Sequence, residues 1–273
     1  MNNAFTPSAQ AEERRAQIVP PAAHQAELAP ADMLHSGNAG VVVQKVGQLK
    51  SEFRNEGRMF AREVAKHVNS QQTGKATAFV YEETFGFEDR IHFLIHLKSL
   101  DTYYDMVEMG DRDRAFRESI AKERVEAGTG AGAWDRLFVD GSVRSNVLLP
   151  WAERAEEPLN SANAGIVLLR SARIGHGFLA EGRELAREFA DTVNKRFSGE
   201  ASVTLFDEAF GDDDRVHWLL HLKDLTVHGR LRDALAVEGR PGTFVDGSLT
   251  VTALTPHHWG LYATRQQSPE QDG

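Results

Sequence analysis

The chain contains two copies of one segment, and this duplication limits its possible folds more than any other feature. A shift of 125 residues places residues 36–100 on residues 161–225 without a gap, and 28 of the 65 positions are identical. EGRMFAREVAKHVN in the first copy returns as EGRELAREFADTVN in the second. Solenoid repeats have periods of about 20–50 residues, so a repeat of this length predicts two globular units.

Each copy has the apolar periodicity of an α+β unit. In the first copy we predict a strand at 40–47, a helix capped by Ser51 and running to about Val68, strands at 75–83 and 90–97, a second helix from about Ser99, and a final strand after FVDGS. The strand at 75–83 alternates with period two, whereas the helix repeats its apolar residues at helical spacing. The order β-α-β-β-α-β is that of the ferredoxin-like unit. The predicted fold class is therefore α+β, with two tandem ferredoxin-like units.

A glycine lies on the apolar stripe of the first helix in both copies, as Gly57 and Gly182. Glycine weakens a helix interior, so we expect a close packing contact at each of these positions.

These patterns divide the chain into five parts. Residues 1–35, rich in Ala, Gln, Pro and Glu, are predicted to be a disordered N-terminal arm. Residues 36–150 and 161–264 are predicted to be the two ferredoxin-like repeats, joined by a linker at 151–160. Residues 265–273 are predicted to be a disordered tail.

The phrase RIHFLIHL at 90–97, repeated as RVHWLLHL at 215–222, holds two histidines four residues apart. On a helix this spacing would let both rings bind one ion, but the alternation of apolar residues predicts a strand. Four residues of a strand span about 13 Å, so the two histidines of one strand do not chelate one metal together. Neither copy has Glu after its first histidine, as a zincin motif requires.

The strand interpretation places the histidines on one face, which we expect to line the interior of the fold. By the alternation of the preceding strand, Glu83 and Glu208 lie on the same face. A hairpin brings Glu83 near Arg90 or His92, and Glu208 near Arg215 or His217. A buried carboxylate beside an imidazole suits general acid–base catalysis, so we predict His92, Glu83, His217 and Glu208 as catalytic residues. The predicted substrate-binding residues on the same faces are His96, His221, Tyr81, Phe79, Phe206, Leu94 and Leu219.

Three roles remain open for these histidines. They could be structural groups satisfied by hydrogen bonds across a filled interior, acid–base or substrate-contacting groups, or ligands of a metal or haem. Inward polar groups are costly unless they are paired or used, which favours a functional role.

The phrase HLKSLDTYYDM, in which a strand runs into a helix, resembles the dimeric α+β barrel superfamily of antibiotic-biosynthesis-monooxygenase-like proteins. The resemblance covers about residues 36–264. It implies that two sheets face each other in a barrel with helices outside, which two fused copies could form within one chain. A homodimer is a further expectation. It also implies an enzyme without a cofactor that oxygenates, isomerises or cyclises a hydrophobic or aromatic metabolite. A haem or divalent-metal enzyme and a non-catalytic metabolite binder are the alternatives.

Composition limits the partners and the compartment. The formal net charge of −9 argues against nucleic acid as a partner. The chain has no cysteine, which excludes disulfides and thiolate-bound zinc and suits a cytoplasmic protein. We find no stretch of about 18 uninterrupted apolar residues, so no membrane partner is predicted.

Overall fold

The structure is a computed structural model that describes residues 28–121, 133–152, 159–234 and 241–256. The predicted tail, most of the predicted arm and residues 153–158 of the predicted linker lie outside this part. The eight strands are β1 (Val41–Gln48), β2 (Ala76–Phe85), β3 (Arg90–Leu97), β4 (Arg144–Pro150), β5 (Ile166–Arg173), β6 (Ala201–Glu208), β7 (Arg215–Leu222) and β8 (Thr250–Pro256). The α-helices are α1 (Arg54–Gln71), α2 (Leu100–Arg112), α3 (Arg114–Ala121), α4 (Ala133–Leu137), α5 (Leu179–Arg196) and α6 (Leu225–Ala234).

Each repeat has the predicted order of strands and helices. In the first repeat, α3 and α4 are inserted between the second helix and the last strand. The prediction that Ser51 caps α1 was wrong by two residues: Ser51 begins a short 3-10 turn, and the residue at the N-cap is Phe53, which forms no side-chain cap.

The eight strands close into one antiparallel barrel in the order β1-β3-β2-β8-β5-β7-β6-β4. Each repeat contributes four adjacent strands. The β2–β8 and β4–β6 pairs join the two repeats, with Tyr81 opposite Pro256 and Leu148 opposite Glu208. One chain therefore closes its own barrel, and the homodimer stays a prediction.

Three apolar clusters follow from the alternation along the strands. Two lie between the outer faces of the strands and the helices; one contains Phe60 and Phe93, and the other contains Phe189 and Trp218. The third cluster fills the barrel interior. Because alternate residues of a strand point to opposite sides, the buried residues of a strand pack in turn inside the barrel and beneath a helix.

A buried arginine ties α1 to the hairpin that carries the first histidine. Arg58 forms two bonds with the carboxylate of Glu82, at 2.8 and 3.0 Å, and one with Asp89, at 2.9 Å. Asp89 is in the left-handed region, with φ of 59°, at the turn before Arg90. This ion-pair network fixes the direction in which β3 enters the barrel.

The predicted close contacts at the helix glycines are confirmed. A Cβ atom on Gly57 would lie 2.4 Å from Cδ2 of Leu49, and one on Gly182 would lie 2.6 Å from Cγ2 of Ile174. Leu49 and Ile174 are each 2% exposed, so neither has free space into which it could move.

We expect Gly57→Ala to lower the free energy of unfolding by about 1–2 kcal/mol, because the clash with Leu49 outweighs the better helix propensity of alanine. Urea unfolding measures this change. The matched control is Gly229→Ala in α6, where no neighbouring atom lies within 4 Å of the added Cβ. That variant should gain about 0.5–1 kcal/mol. A gain of stability in both variants would contradict the packing argument.

Candidate functional site

One end of the barrel, which we term the closed end, is sealed by residues from both repeats. Its four central residues are Ser36, His96, Ser161 and His221, all at most 1% exposed. The Ser161 hydroxyl lies 3.0 Å from Nε2 of His96, and the Ser36 hydroxyl lies 3.0 Å from Nε2 of His221. Each serine therefore contacts the histidine of the other repeat, and this crossed arrangement holds the two repeats together.

The second ring nitrogen of each closed-end histidine is also paired. Nδ1 of His96 donates to the Leu94 carbonyl at 3.2 Å, and Nδ1 of His221 lies 3.3 Å from the Ser202 hydroxyl. Burial lowers the pKa of both His96 and His221 to about 3, so both rings are neutral near pH 7. This burial and pairing favours the structural role among the three that were open for His96 and His221, and their predicted contact with a substrate stays a prediction.

The side chains predicted to be the walls of a ligand site fill the middle of the barrel. Phe79, Tyr81, Leu94, Phe206 and Leu219 are all 0% exposed and belong to the interior cluster. The Tyr81 hydroxyl donates to the Ser161 carbonyl at 3.2 Å, and burial raises the pKa of that phenol. These five residues pack against one another, and none of them lines the cavity at the opposite end.

Residues 28–35, which belong to the predicted arm, lie against the closed end. Met33 is 3% exposed within the interior cluster, and the Leu34 amide donates to the Thr77 hydroxyl at 2.9 Å.

The other end, which we term the mouth, carries the four predicted catalytic residues as two equivalent pairs. Nε2 of His217 lies 3.3 Å from Oε2 of Glu208, and Nε2 of His92 lies 3.5 Å from Oε2 of Glu83. Both histidines are 4% exposed. The structure therefore brings each histidine to its predicted glutamate, and the contact is shorter in the second repeat.

A glycine after each glutamate makes room for the carboxylate. Gly86 and Gly211 have φ of 124° and 135°, which side chains rarely adopt. A Cβ atom there would lie 2.2 Å from Oε1 of Glu83 or 2.3 Å from Oε1 of Glu208. The glycine in each of the phrases FGFED and FGDDD therefore indicates that a carboxylate packs against that turn at the mouth.

The two pairs differ in the partner of the second ring nitrogen. Nδ1 of His92 lies 3.3 Å from Nε2 of Gln44, which donates to it. Position 169 matches position 44 in the second repeat, and it holds Leu169. In the described part of the chain, Nδ1 of His217 is buried without a hydrogen-bond partner. Both rings are therefore held on one side, His92 by Gln44 at Nδ1 and His217 by Glu208 at Nε2, and the buried nitrogen left without a hydrogen-bond partner among the described residues is Nε2 in His92 and Nδ1 in His217.

The electrostatics of the two pairs also differ. Burial lowers the pKa of His217 below its ordinary value, although Glu208 opposes the shift, so the neutral imidazole dominates near pH 7. Burial tends to raise the pKa of Glu83, but the neighbouring His92, the hydrogen bond from the Phe87 amide and the charge of Arg90 hold it below the ordinary value.

A cavity of about 340 Å³ adjoins the second pair. Its lining residues are Gln44, Asn146, Leu169, Ser171, Glu208, Asp212, Arg215, His217, Thr250 and Thr252. All of them except Leu169 are polar. Gln44 and Asn146 come from the first repeat, and the others come from the second. The volume lies at the lower end of the range of small-molecule pockets.

The inward histidines do not fit the ligation of a haem. Serine hydroxyls occupy Nε2 of both closed-end histidines, and His92 lies between Gln44 at Nδ1 and Glu83 at Nε2. The wall beside His217 is polar, whereas a porphyrin needs an apolar slot. Within the described ranges, no group of three or more His, Asp or Glu side chains could hold a metal ion. No described helix is long and apolar enough to cross a membrane.

The sequence analysis missed Gln44, Asn146 and the two serines. The substitution of Gln44 by Leu169 is visible when the copies are aligned, but its effect on the histidines depends on which strands are neighbours. The serines open both copies, in SGNAG and SANAG, and nothing in those phrases indicates that they cross to the other repeat.

The closed eight-stranded barrel with outer helices defines the class of protein: a dimeric α+β barrel, with both halves in one chain. The model of the "Family of unknown function (DUF6039)" matches residues 11–157 and 151–240, more than half of the chain, and the chain belongs to that family. No curated protein matches the chain in sequence.

Solved structures confirm the fold. A "Putative monooxygenase" of Fusobacterium nucleatum is similar with a TM-score of 0.58 and 7% identity, over 80% of this chain and 92% of that one. A "putative monooxygenase" of Lactobacillus acidophilus has a TM-score of 0.53 and 9% identity, over 80% and 94%. A "Putative Chlorite dismutase" has a TM-score of 0.51 and 11% identity, over 84% and 98%. At these identities the likeness shows the fold alone, and this fold is the one that the resemblance found in the sequence implies.

Proposed function

We propose that the protein is an enzyme that binds a polar small molecule in the mouth cavity and moves a proton on it. His217 is the general base, and Glu208 is the carboxylate that orients it. The observation that carries this proposal is the free Nδ1 of His217, a buried ring nitrogen without a partner among the described residues, on a side chain that lines a cavity.

The geometry of the pair supports this role. Nε2 of His217 donates to Glu208, so the lone pair of the neutral ring is on Nδ1. When Nδ1 takes a proton from a bound molecule, the imidazolium that forms is stabilised by Glu208. Return of the same proton to another atom of the molecule completes an isomerisation. Oxygenation and cyclisation would begin with the same proton removal, and nothing in the lining favours them over isomerisation.

The lining supports a polar substrate more than the hydrophobic or aromatic one expected from the resemblance. Gln44, Asn146 and three hydroxyl groups offer donors and acceptors, and the charge of Arg215 is paired with Asp212 and Glu208 of the same lining. A carbonyl compound with an adjacent C–H bond fits this set. Its oxygen would accept from an amide or hydroxyl group while His217 removes the proton from carbon.

Hydrogen–deuterium exchange tests the proposal. The protein is incubated in D2O with a panel of small ketones, hydroxyketones and keto acids, and proton NMR follows the C–H signal next to each carbonyl. We expect exchange of at least one compound that is much faster than in buffer alone. The non-catalytic alternative predicts compounds that bind, seen by line broadening, without exchange. Absence of both binding and exchange across the panel would refute a mouth site of this class.

A further inference from the structure

A pair of equivalent pockets lies on the outer side of the barrel, between the strands and the helices, away from the mouth. The first repeat holds one of about 190 Å³ and the second one of about 130 Å³. Each of the eight residues that line the second pocket matches a lining residue of the first when the copies are aligned. The same space is thus kept open in both repeats, although the interior of the barrel is filled.

The two pockets differ in chemistry. Lys45, Tyr103 and Val107 of the first pocket are replaced by Arg170, His228 and Arg232 in the second. In the first pocket the Lys45 ammonium lies 4.1 Å from the centroid of the Trp134 ring, among apolar side chains. The second pocket instead has two guanidinium groups and an imidazole, in a chain whose net charge is −9. We term it the basic pocket.

Arg170 is the innermost of these groups and is incompletely paired. Its guanidinium lies 4.9 Å from the ring centroid of Phe189 and 5.2 Å from that of Trp218. Its Nε is buried without a hydrogen-bond partner, and no carboxylate in the described ranges forms an ion pair with it. A buried donor in this state destabilises a protein unless a ligand completes it. Two aromatic rings hold the guanidinium in place.

We propose that the basic pocket binds an oxyanion, the carboxylate or phosphate group of a small metabolite. Arg170 donates to it from the floor, and His228 and Arg232 contact it from α6. The volume of about 130 Å³ is below the range of pockets that hold whole small-molecule ligands, which suits a single oxyanionic group. Guanidinium groups bind carboxylate and phosphate oxygens with paired hydrogen bonds, which suits this ligand class.

Isothermal titration with inorganic phosphate, acetate and malonate tests the proposal, with sodium chloride holding the ionic strength constant. We expect phosphate or a carboxylate to bind, and Arg170→Met to weaken that binding at least tenfold. The matched control is Lys45→Met at the equivalent position, which should leave the affinity unchanged. The phosphate and carboxylate arms distinguish the two sources of the oxyanion.

Two further variants keep the test decisive if Arg170→Met fails to fold. His228→Gln and Arg232→Gln change exposed side chains, and each should weaken binding severalfold. Binding that survives both variants would overturn the proposal, as would the absence of binding by all three anions. Arg215→Gln, at the mouth, should have no effect. If it alone removes the binding, the anion occupies the mouth cavity and the basic pocket is not the site.

Discussion

Lowering the pH from 6.5 to 4.5 should reduce the free energy of unfolding by about 2–5 kcal/mol, a large share of the stability of an ordinary domain. The cause is the pair of closed-end histidines. His96 and His221 are completely buried, and burial lowers the pKa of each to about 3. In the unfolded chain both rings titrate near 6.5.

The direction of this change in the free energy of unfolding follows from proton binding. Below pH 6.5 the unfolded chain takes up a proton on each of these histidines, whereas the folded protein keeps both rings neutral until about pH 3. Acid therefore favours the unfolded state by at most about 1.4 kcal/mol per pH unit and histidine, and the stability is fully present only above pH 6.5. His217 adds to the effect in the same direction, because burial also lowers its pKa.

Urea unfolding at steps of half a pH unit measures this dependence. The double variant His96→Gln/His221→Gln should have a much flatter profile between pH 6.5 and 4.5, whatever its stability at pH 7. The control His176→Gln replaces an exposed histidine and should keep the steep profile. A flat wild-type profile in this range would show that the closed-end histidines are not buried as neutral rings.

Much of the fold could be predicted because the duplication restricts it so strongly. The periodicity in the two copies gives the order of strands and helices along the chain. Each apolar strand then needs both of its faces covered. The His–Glu pairs at the mouth could be predicted for the same reason. Glu83 and His92 are separated by one tight turn, and a hairpin with alternating residues places them on one face.

The state of the barrel interior could not be predicted, because it depends on side-chain volume summed over eight strands. Phe79, Tyr81 and Phe206 were equally suited to line a cavity or to fill one. The structure fills the middle with them, and residues from the segments before β1 and β5 seal one end. The crossed serine–histidine bonds need contacts 65 and 185 residues apart in sequence, which a single-chain pattern does not indicate.

Replacing His217 by Gln should reduce the proposed proton transfer by about 10²–10⁴-fold, whereas His92→Gln should change it little. The two histidines are equivalent in the repeat and equally buried, so any general effect of losing a mouth histidine appears in both variants. Only His217 lines the cavity and has a free Nδ1. The measurement is the rate of C–H exchange in D2O, with the melting temperature recorded for each variant.

Leu169→Gln tests the reason for this difference. It places in the second repeat the amide that Gln44 offers to His92 in the first, and a donor on Nδ1 of His217 would occupy the lone pair that acts as the base. We expect the exchange rate to fall while the protein remains folded. Gln44→Leu is the reciprocal control, and it should free Nδ1 of His92 without raising the rate greatly, since His92 does not line the cavity. Equal losses of exchange rate in His92→Gln and His217→Gln would mean that the two pairs act alike. The hydrogen bond from Gln44 to His92 would then have no part in the chemistry.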